Sequence, residues 1–291
     1  MAQPQFVPVK NTLDTIQQVL FEARNLLSVV TETPELEAEI LLAHVLNTSR
    51  SYLHAFCEAR LNEDQVQAYT HYLMRRRHQE PIAYITGSRE FWSLDLVVSP
   101  DTLIPRPETE LLVQSVLDIY AHAAAIKIAD LGTGSGAVAL ALAKEKPASQ
   151  IYATDTSDSA LQIARKNAQQ LQLGNISFHQ GNWCTALPCD KFDVIVSNPP
   201  YLGEMEWDAY AEGLAFEPRE ALLSGLDGLD AIRTISHSAR EYLTSGGYLL
   251  VEHGFLQGAA VRKIFAASGY SQIHTVRDLS DRERVTIGQY K

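Results

Sequence analysis

The apolar positions of this chain fall into two regimes. From residue 12 to about residue 80 they recur at helical spacing. Leu36, Ile40, Leu41 and Val45 follow Thr33-Pro34-Glu35, which reads as an N-cap, a proline at the first helical position and a first-turn acid. A later helix opens at Asn62, carries Val66, Tyr69 and Leu73 on one face and ends in Arg75-Arg76-Arg77-His78. Beyond Leu111 strands and helices alternate: strands over residues 126–130, 151–155, 176–179, 192–197 and 248–252, with helices after Gly136, through Asn167 and near Asp230. Such alternation predicts a mostly parallel, doubly wound α/β sheet covered by helices. Residues 272–276 and 284–290 read as two strands joined by the polar turn Asp278-Leu279-Ser280-Asp281, which predicts one antiparallel edge strand. Between the regimes, the tract around Gly87 alternates loosely over residues 91–98 and is broken by prolines, as a hairpin would be. The expected organisation is a small helical bundle over residues 1–85, a hairpin linker over 86–105 and an α/β domain over 106–291.

Composition narrows the function without naming it. A chain of 291 residues has room for one large and one small domain. With 46% hydrophobic and 20% charged residues it is not a disordered chain. A net charge of -11 opposes stable nucleic-acid binding. Cys57, Cys184 and Cys189 are an odd set without zinc-ligand spacing, which points to a reducing compartment, no disulfide framework and no metal site. No apolar run has signal-peptide or membrane-spanning length, so a cytoplasmic location and no membrane partner are expected.

Three segments carry chemistry. Asp130-Leu131-Gly132-Thr133-Gly134-Ser135-Gly136 sits where a strand gives way to a helix, and ligands of open α/β sheets bind outside the carboxyl ends of strands. Gly132, Gly134 and Ala137 also satisfy the dinucleotide fingerprint, so a hydride-transfer enzyme stands as an alternative. Asp155 ends the next strand, where a carboxylate accepts ribose hydroxyls; the plainer reading is a helix N-cap, a role that Ser157 or Asp158 also fits. Asn198-Pro199-Pro200-Tyr201 follows the strand over residues 192–197. As a bare dipeptide Asn-Pro is a turn, but at this strand end it faces the crevice of the glycine loop. Two prolines hold the Asn198 side chain and the Pro199 carbonyl rigidly, and a rigid pair of acceptors suits the two in-plane N–H groups of an amide or aromatic amine. Bonded so, the nitrogen turns its π face to a sulfonium methyl, and the acceptors favour the positive charge that develops on it. Tyr201 offers a ring to pack on a flat group, and Trp183 is either core or a flank for an adenine.

The chain resembles the HemK/PrmC family of peptide chain release factor N5-glutamine methyltransferases. The likeness runs through nearly the whole sequence: Glu37-Ala38-Glu39-Ile40-Leu41-Leu42, Glu80-Pro81-Ile82-Ala83-Tyr84-Ile85-Thr86-Gly87, Arg89-Glu90-Phe91-Trp92, Leu103-Ile104-Pro105-Arg106-Pro107-Glu108-Thr109-Glu110, the glycine loop, Asn198-Pro199-Pro200-Tyr201, Phe216-Glu217-Pro218 and Glu252-His253-Gly254. The tetrapeptide is shared with many N-methyltransferases, whereas residues 106–110 are more specific. The resemblance implies a class I (Rossmann-like) methyltransferase domain behind an N-terminal helical substrate-binding domain. It implies S-adenosyl-L-methionine as methyl donor and the glutamine of the Gly-Gly-Gln motif in class 1 release factors as acceptor. Carried over residue by residue, Gly132, Thr133, Gly134, Ser135, Gly136, Asp155, Trp183 and Asn198 would meet the cofactor. Asn198, Pro199, Pro200 and Tyr201 would meet the glutamine, with Asn198, Pro199 and Tyr201 at the reaction. The family's usual Asp before the Trp is Asn182 here, which implies somewhat weaker cofactor binding. Arg75, Arg76 and Arg77 are candidates for an acidic surface on the partner. The rivals are a ribosomal-protein glutamine methyltransferase, whose usual pattern lacks Pro-Glu-Thr-Glu after the arginine, a nucleic-acid adenine N6-methyltransferase, which the charge opposes, and a non-catalytic nucleoside-binding module.

Overall fold

A computed structural model of the chain describes residues 15–207 and 213–291. It divides into two compact units, with the boundary after Gly87. No helix among the described residues is long and apolar enough to cross a membrane.

The first unit contains α1 (Ile16–Leu27), α2 (Pro34–Leu46), α3 (Arg50–Ala55), α4 (Glu63–Arg77) and α5 (Ile82–Thr86). Asn62 caps α4 in a full capping box: its Oδ1 accepts from Gln65 N–H at 2.9 Å and Gln65 Oε1 accepts from Asn62 N–H at 2.9 Å. Thr33 precedes α2 but makes no side-chain cap. Thr31 stands in instead, accepting from Thr33 N–H and donating to Glu37 at 2.9 Å. The apolar face of α2 also differs from the expected stripe. Ala38, Leu41 and Leu42 are buried while Leu36 is exposed, because the glutamates of this helix fall on more than one face and Glu39 is itself buried in a pair with Arg50, so spacing alone does not select its inner face. Leu27, Leu41, Leu42 and Leu53 are all buried to within 1% in one cluster, each contributing about 1.5–3 kcal/mol. Of the basic helix end, Arg75 pairs with Glu80 and Arg76 with Glu37 inside this unit, so two of the three arginines offered to a partner are already engaged.

The second unit begins with a hairpin, β1 (Ser88–Phe91) and β2 (Leu94–Val97), turned by Trp92 and Ser93 at φ of 52° and 54°. Positive φ at both central residues marks the hairpin turn that matches strand twist. The stretch expected as a linker is thus built into this unit: Phe91, Leu94 and Leu96 are buried with Leu112, Val113 and Val116 of α6 (Glu110–Ile119).

The sheet alternates strands and helices as β3 (Lys127–Leu131), α7 (Ala137–Glu145), β4 (Gln150–Asp155), α8 (Asp158–Gln170), β5 (Ile176–Gln180), β6 (Phe192–Ser197), α9 (Asp230–Ser238), β7 (Leu243–Glu252), α10 (Gly258–Ala267), β8 (Ser271–Arg277) and β9 (Glu283–Gln289). The strand order is β5-β4-β3-β6-β7-β9-β8. All neighbours up to β7 are parallel. The single antiparallel strand is β9, which corrects its expected place at the edge: it lies one position inside, between β7 and β8. Central strands are buried on both faces with a period of two. Val194, Val196 and Leu250 belong to the core that includes α6 and α7, and Ile195, Leu249 and Val251 to the one that includes α9 and α10.

Candidate active site

From β3 the chain winds outward to β4 and β5, and from β6 it winds the other way to β7, so the crevice between β3 and β6 is a topological switch point. At the end of β3 the chain turns through Gly132, Gly134 and Gly136 at φ of 73°, 56° and 88°, a conformation that suits only glycine without strain. The Trp183 ring presses on this turn, and a Cβ on Gly132 would stand 3.0 Å from it. Asp155 ends β4, and its two oxygens each take one backbone N–H: Oδ2 from Gly134 at 2.9 Å, Oδ1 from Ser157 at 2.9 Å. A carboxylate offers about four acceptor positions, so two are left for ligand hydroxyls. Asp130, beneath the loop, accepts from the Thr133 hydroxyl at 2.6 Å. Burial pushes its carboxyl up to about 6, against the opposing pull of Thr133.

Gly132, Thr133, Gly134, Ser135, Asp155, Trp183, Asn198 and Pro200 come together around a cavity of about 390 Å3, within the size range of small-molecule sites. A smaller cavity of about 130 Å3 is lined by Arg106, Asn198, Pro199, Tyr201, Leu202 and Leu222. Asn198 lines both. It is fixed from behind, since Ser197 Oγ donates to the Leu131 carbonyl at 2.7 Å and ties the end of β6 to the end of β3. The Asn198 Nδ2 donates to Thr109 Oγ1 at 3.0 Å. Its Oδ1 is buried with no partner, a condition that costs about 1–3 kcal/mol unless something bonds to it. At the other end of the tetrapeptide, Gln257 Nε2 donates to the Tyr201 carbonyl at 2.9 Å. Burial and then the charge of Glu252 push the Tyr201 hydroxyl up, so the phenol keeps its proton.

The PrmC N-terminal domain matches residues 18–87 and a methyltransferase domain matches residues 122–278. A release factor glutamine methyltransferase from Coxiella burnetii is 48% identical over 263 residues, covering 90% of this chain and 94% of that protein. The protein of the same name from Escherichia coli K12 is 47% identical, covering 89% of this chain and 93% of that protein. The chain belongs to the release factor glutamine methyltransferase family. It is a methyltransferase with the class I fold, and the catalytic domain of hMettl16, solved with an RNA hairpin, has the same architecture at 14% identity and a TM-score of 0.58 over 86% of this chain and 90% of that one.

In this methyltransferase one expected cofactor residue stands apart. Gly136 does not line the cavity: a Cβ there would meet Leu140 at 2.9 Å and Ala164 at 3.2 Å, so it serves the close approach of α7 to α8. Asn182 is likewise outside the lining, its carbonyl taken by the Thr185 hydroxyl at 2.6 Å. Sequence reasoning gave no role to Thr109 and Glu252, nor to the pair of Arg106 with Glu217, whose second oxygen accepts from Ile104 N–H at 3.0 Å. All four lie within stretches that carry the family likeness; Thr109 bonds to Asn198 and Arg106 lines the smaller cavity with it. Residues 106–110 divide the work: Arg106 pairs with Glu217, Thr109 holds Asn198, and Glu110 accepts from the Trp92 N–H at 2.8 Å.

Proposed function

We propose that this enzyme transfers a methyl group from S-adenosyl-L-methionine to the side-chain amide nitrogen of the glutamine in the Gly-Gly-Gln motif of class 1 peptide chain release factors. The observation that carries the reading is the Asn198 Oδ1, a buried acceptor without a partner where the larger and smaller cavities meet. The larger cavity fits the cofactor in size and chemistry. Asp155 has acceptor positions to spare for ribose hydroxyls, Trp183 flanks the loop, and the carboxyls of Asp130 and Asp155 suit a cationic ligand. S-adenosyl-L-methionine supplies there an electrophilic methyl group on a sulfonium.

The rest is done by the chain. Asn198 Oδ1 and the Pro199 carbonyl accept the two N–H groups of the substrate amide, and the Tyr201 ring packs on its plane. Both acceptors bond more strongly as positive charge grows on the nitrogen, so they stabilise the transition state more than the ground state. The methylated nitrogen gives its proton to water, and no side-chain base is required. The helical unit is assigned to gripping the partner protein, in keeping with the family match over residues 18–87.

The test is direct. Incubated with S-adenosyl-L-methionine, a class 1 release factor gains one methyl group on that glutamine by peptide mass spectrometry, and a version with the glutamine changed to alanine gains none. Faster methylation of a ribosomal protein or of duplex DNA under matched salt would overturn the reading.

A further inference from the structure

The Asn198 amide has two ends, and only one serves a substrate N–H. Its oxygen must face the substrate and its NH2 must face away, yet the two are nearly equal in shape. What fixes the choice lies behind it. Thr109, 3% exposed, accepts the Asn198 Nδ2–H. Beside it is the carboxyl of Glu252, the last residue of β7 and 1% exposed, whose proton affinity the Thr109 hydroxyl lowers against the burial that raises it. A threonine hydroxyl has one proton. When the carboxylate takes that proton as a hydrogen bond, the oxygen only accepts, and the group facing it has to be a donor.

We propose that Glu252 and Thr109 are positioning residues that set the amide of Asn198, so that its oxygen is the end presented to the substrate nitrogen. The proposal rests on the reading of Asn198 as the substrate's acceptor. The ionised carboxylate is the polarity source, Thr109 passes it on, and Asn198 delivers it. The Glu252 Oε2 itself has no partner, so the carboxylate is under no competing demand from that side.

The relay has a pH signature. Burial pushes the Glu252 carboxyl up to about 7, against the pull of Thr109 and Arg284, while Glu108 adds to the rise and Arg106 lowers it. Tyr201 also faces it and stays neutral. Once protonated, Glu252 becomes a donor to Thr109, the hydroxyl proton is free to turn toward Asn198, and the amide loses its preferred sense. Turnover therefore falls on the acid side of neutrality through orientation, without any side chain acting as a base.

The experiment compares wild type, Thr109→Val, Thr109→Ser and Glu252→Gln, each with a release factor as substrate, across pH, with S-adenosyl-L-methionine affinity measured by calorimetry as the check of folding. Thr109→Val is expected to lower kcat by at least about tenfold with the release-factor KM little changed, since an interaction expressed in the transition state is lost. Thr109→Ser recovers most of that loss, and Glu252→Gln lowers kcat and flattens its acid limb. Unchanged kcat in Thr109→Val, or Thr109→Ser as slow as Thr109→Val, would overturn the relay while leaving the substrate reading intact. If wild type methylates no release factor, the substrate reading falls instead, and the relay is then read without activity. In asparagine-labelled protein the Asn198 side-chain NH2 exchanges slowly with heavy water, and this protection disappears in Thr109→Val. Equal exchange in the two proteins would sink it.

Discussion

Asn167 pairs with the backbone of Val97 as a neighbouring strand would, accepting its N–H at 2.8 Å and donating to its carbonyl at 3.0 Å. The same Nδ2 donates to the Ser135 carbonyl at 2.9 Å. One side chain on α8, 1% exposed, thereby binds the β1–β2 hairpin to the glycine loop. Replacing Asn167 by Ala strands backbone groups that water does not reach, at a cost of about 3 kcal/mol or more in stability. Denaturant melts are expected to show the loss, and cofactor affinity should fall with it because Ser135 lines the larger cavity.

Asn198→Ala removes the acceptor and is expected to keep the fold. Turnover should drop by about a hundredfold or more, the scale seen when one group serving the transition state is deleted. Asn198→Asp keeps an acceptor toward the substrate but turns a second one on Thr109, so it should recover only part of the loss. Near-normal kcat in the alanine variant at saturating substrate would refute the assignment.

Asp155→Ala removes ligand hydrogen bonds and also releases the Gly134 and Ser157 N–H groups. Hydrogen bonds to a charged group contribute about 1.5–3 kcal/mol each, so S-adenosyl-L-methionine binding should weaken by roughly tenfold or more. Calorimetry decides it.

Asp130 is expected to make S-adenosyl-L-methionine binding depend on pH. Its carboxyl, raised by burial to about 6 in the fold, holds its proton to a higher pH than it would in an unfolded chain. Its contribution to stability is therefore complete at low pH and is lost as pH rises through about 6. A cationic ligand favours the ionised form, so S-adenosyl-L-methionine affinity should increase as pH climbs through about 6. Asp130→Asn should flatten that dependence, and a slope that survives the substitution would assign it elsewhere.

Much of the architecture was legible because local rules and tertiary structure agree. The strand over residues 192–197 ends where the sequence says, and Asn62 with Gln65 writes its cap in two letters. The inner face of α2 was not legible, since its glutamates fall on more than one face and one of them, Glu39, is buried in a pair with Arg50. Nor was the inward position of β9: a short turn between two strands gives their antiparallel pairing but not which of them docks on β7. The ends of β3, β4 and β6 announce themselves through glycine, aspartate and the asparagine tetrapeptide. Thr109 and Glu252 do not, because each is an ordinary residue whose meaning arises only when the turn before α6 brings Thr109 to Asn198 and the end of β7 brings Glu252 beside Thr109.

The order in which the sheet is made differs from the order in which it is stacked. β9 follows every other described strand along the chain, yet it is the seam between β7 and β8. Until it arrives, β8 has no strand to pair with among those described, and the edge of β7 that carries Glu252 is open. A chain cut before β9 would lose the joint of its sheet and not merely an outer strand. Completion of the sheet beside Glu252 is in this way deferred until the latest of its described strands has been made.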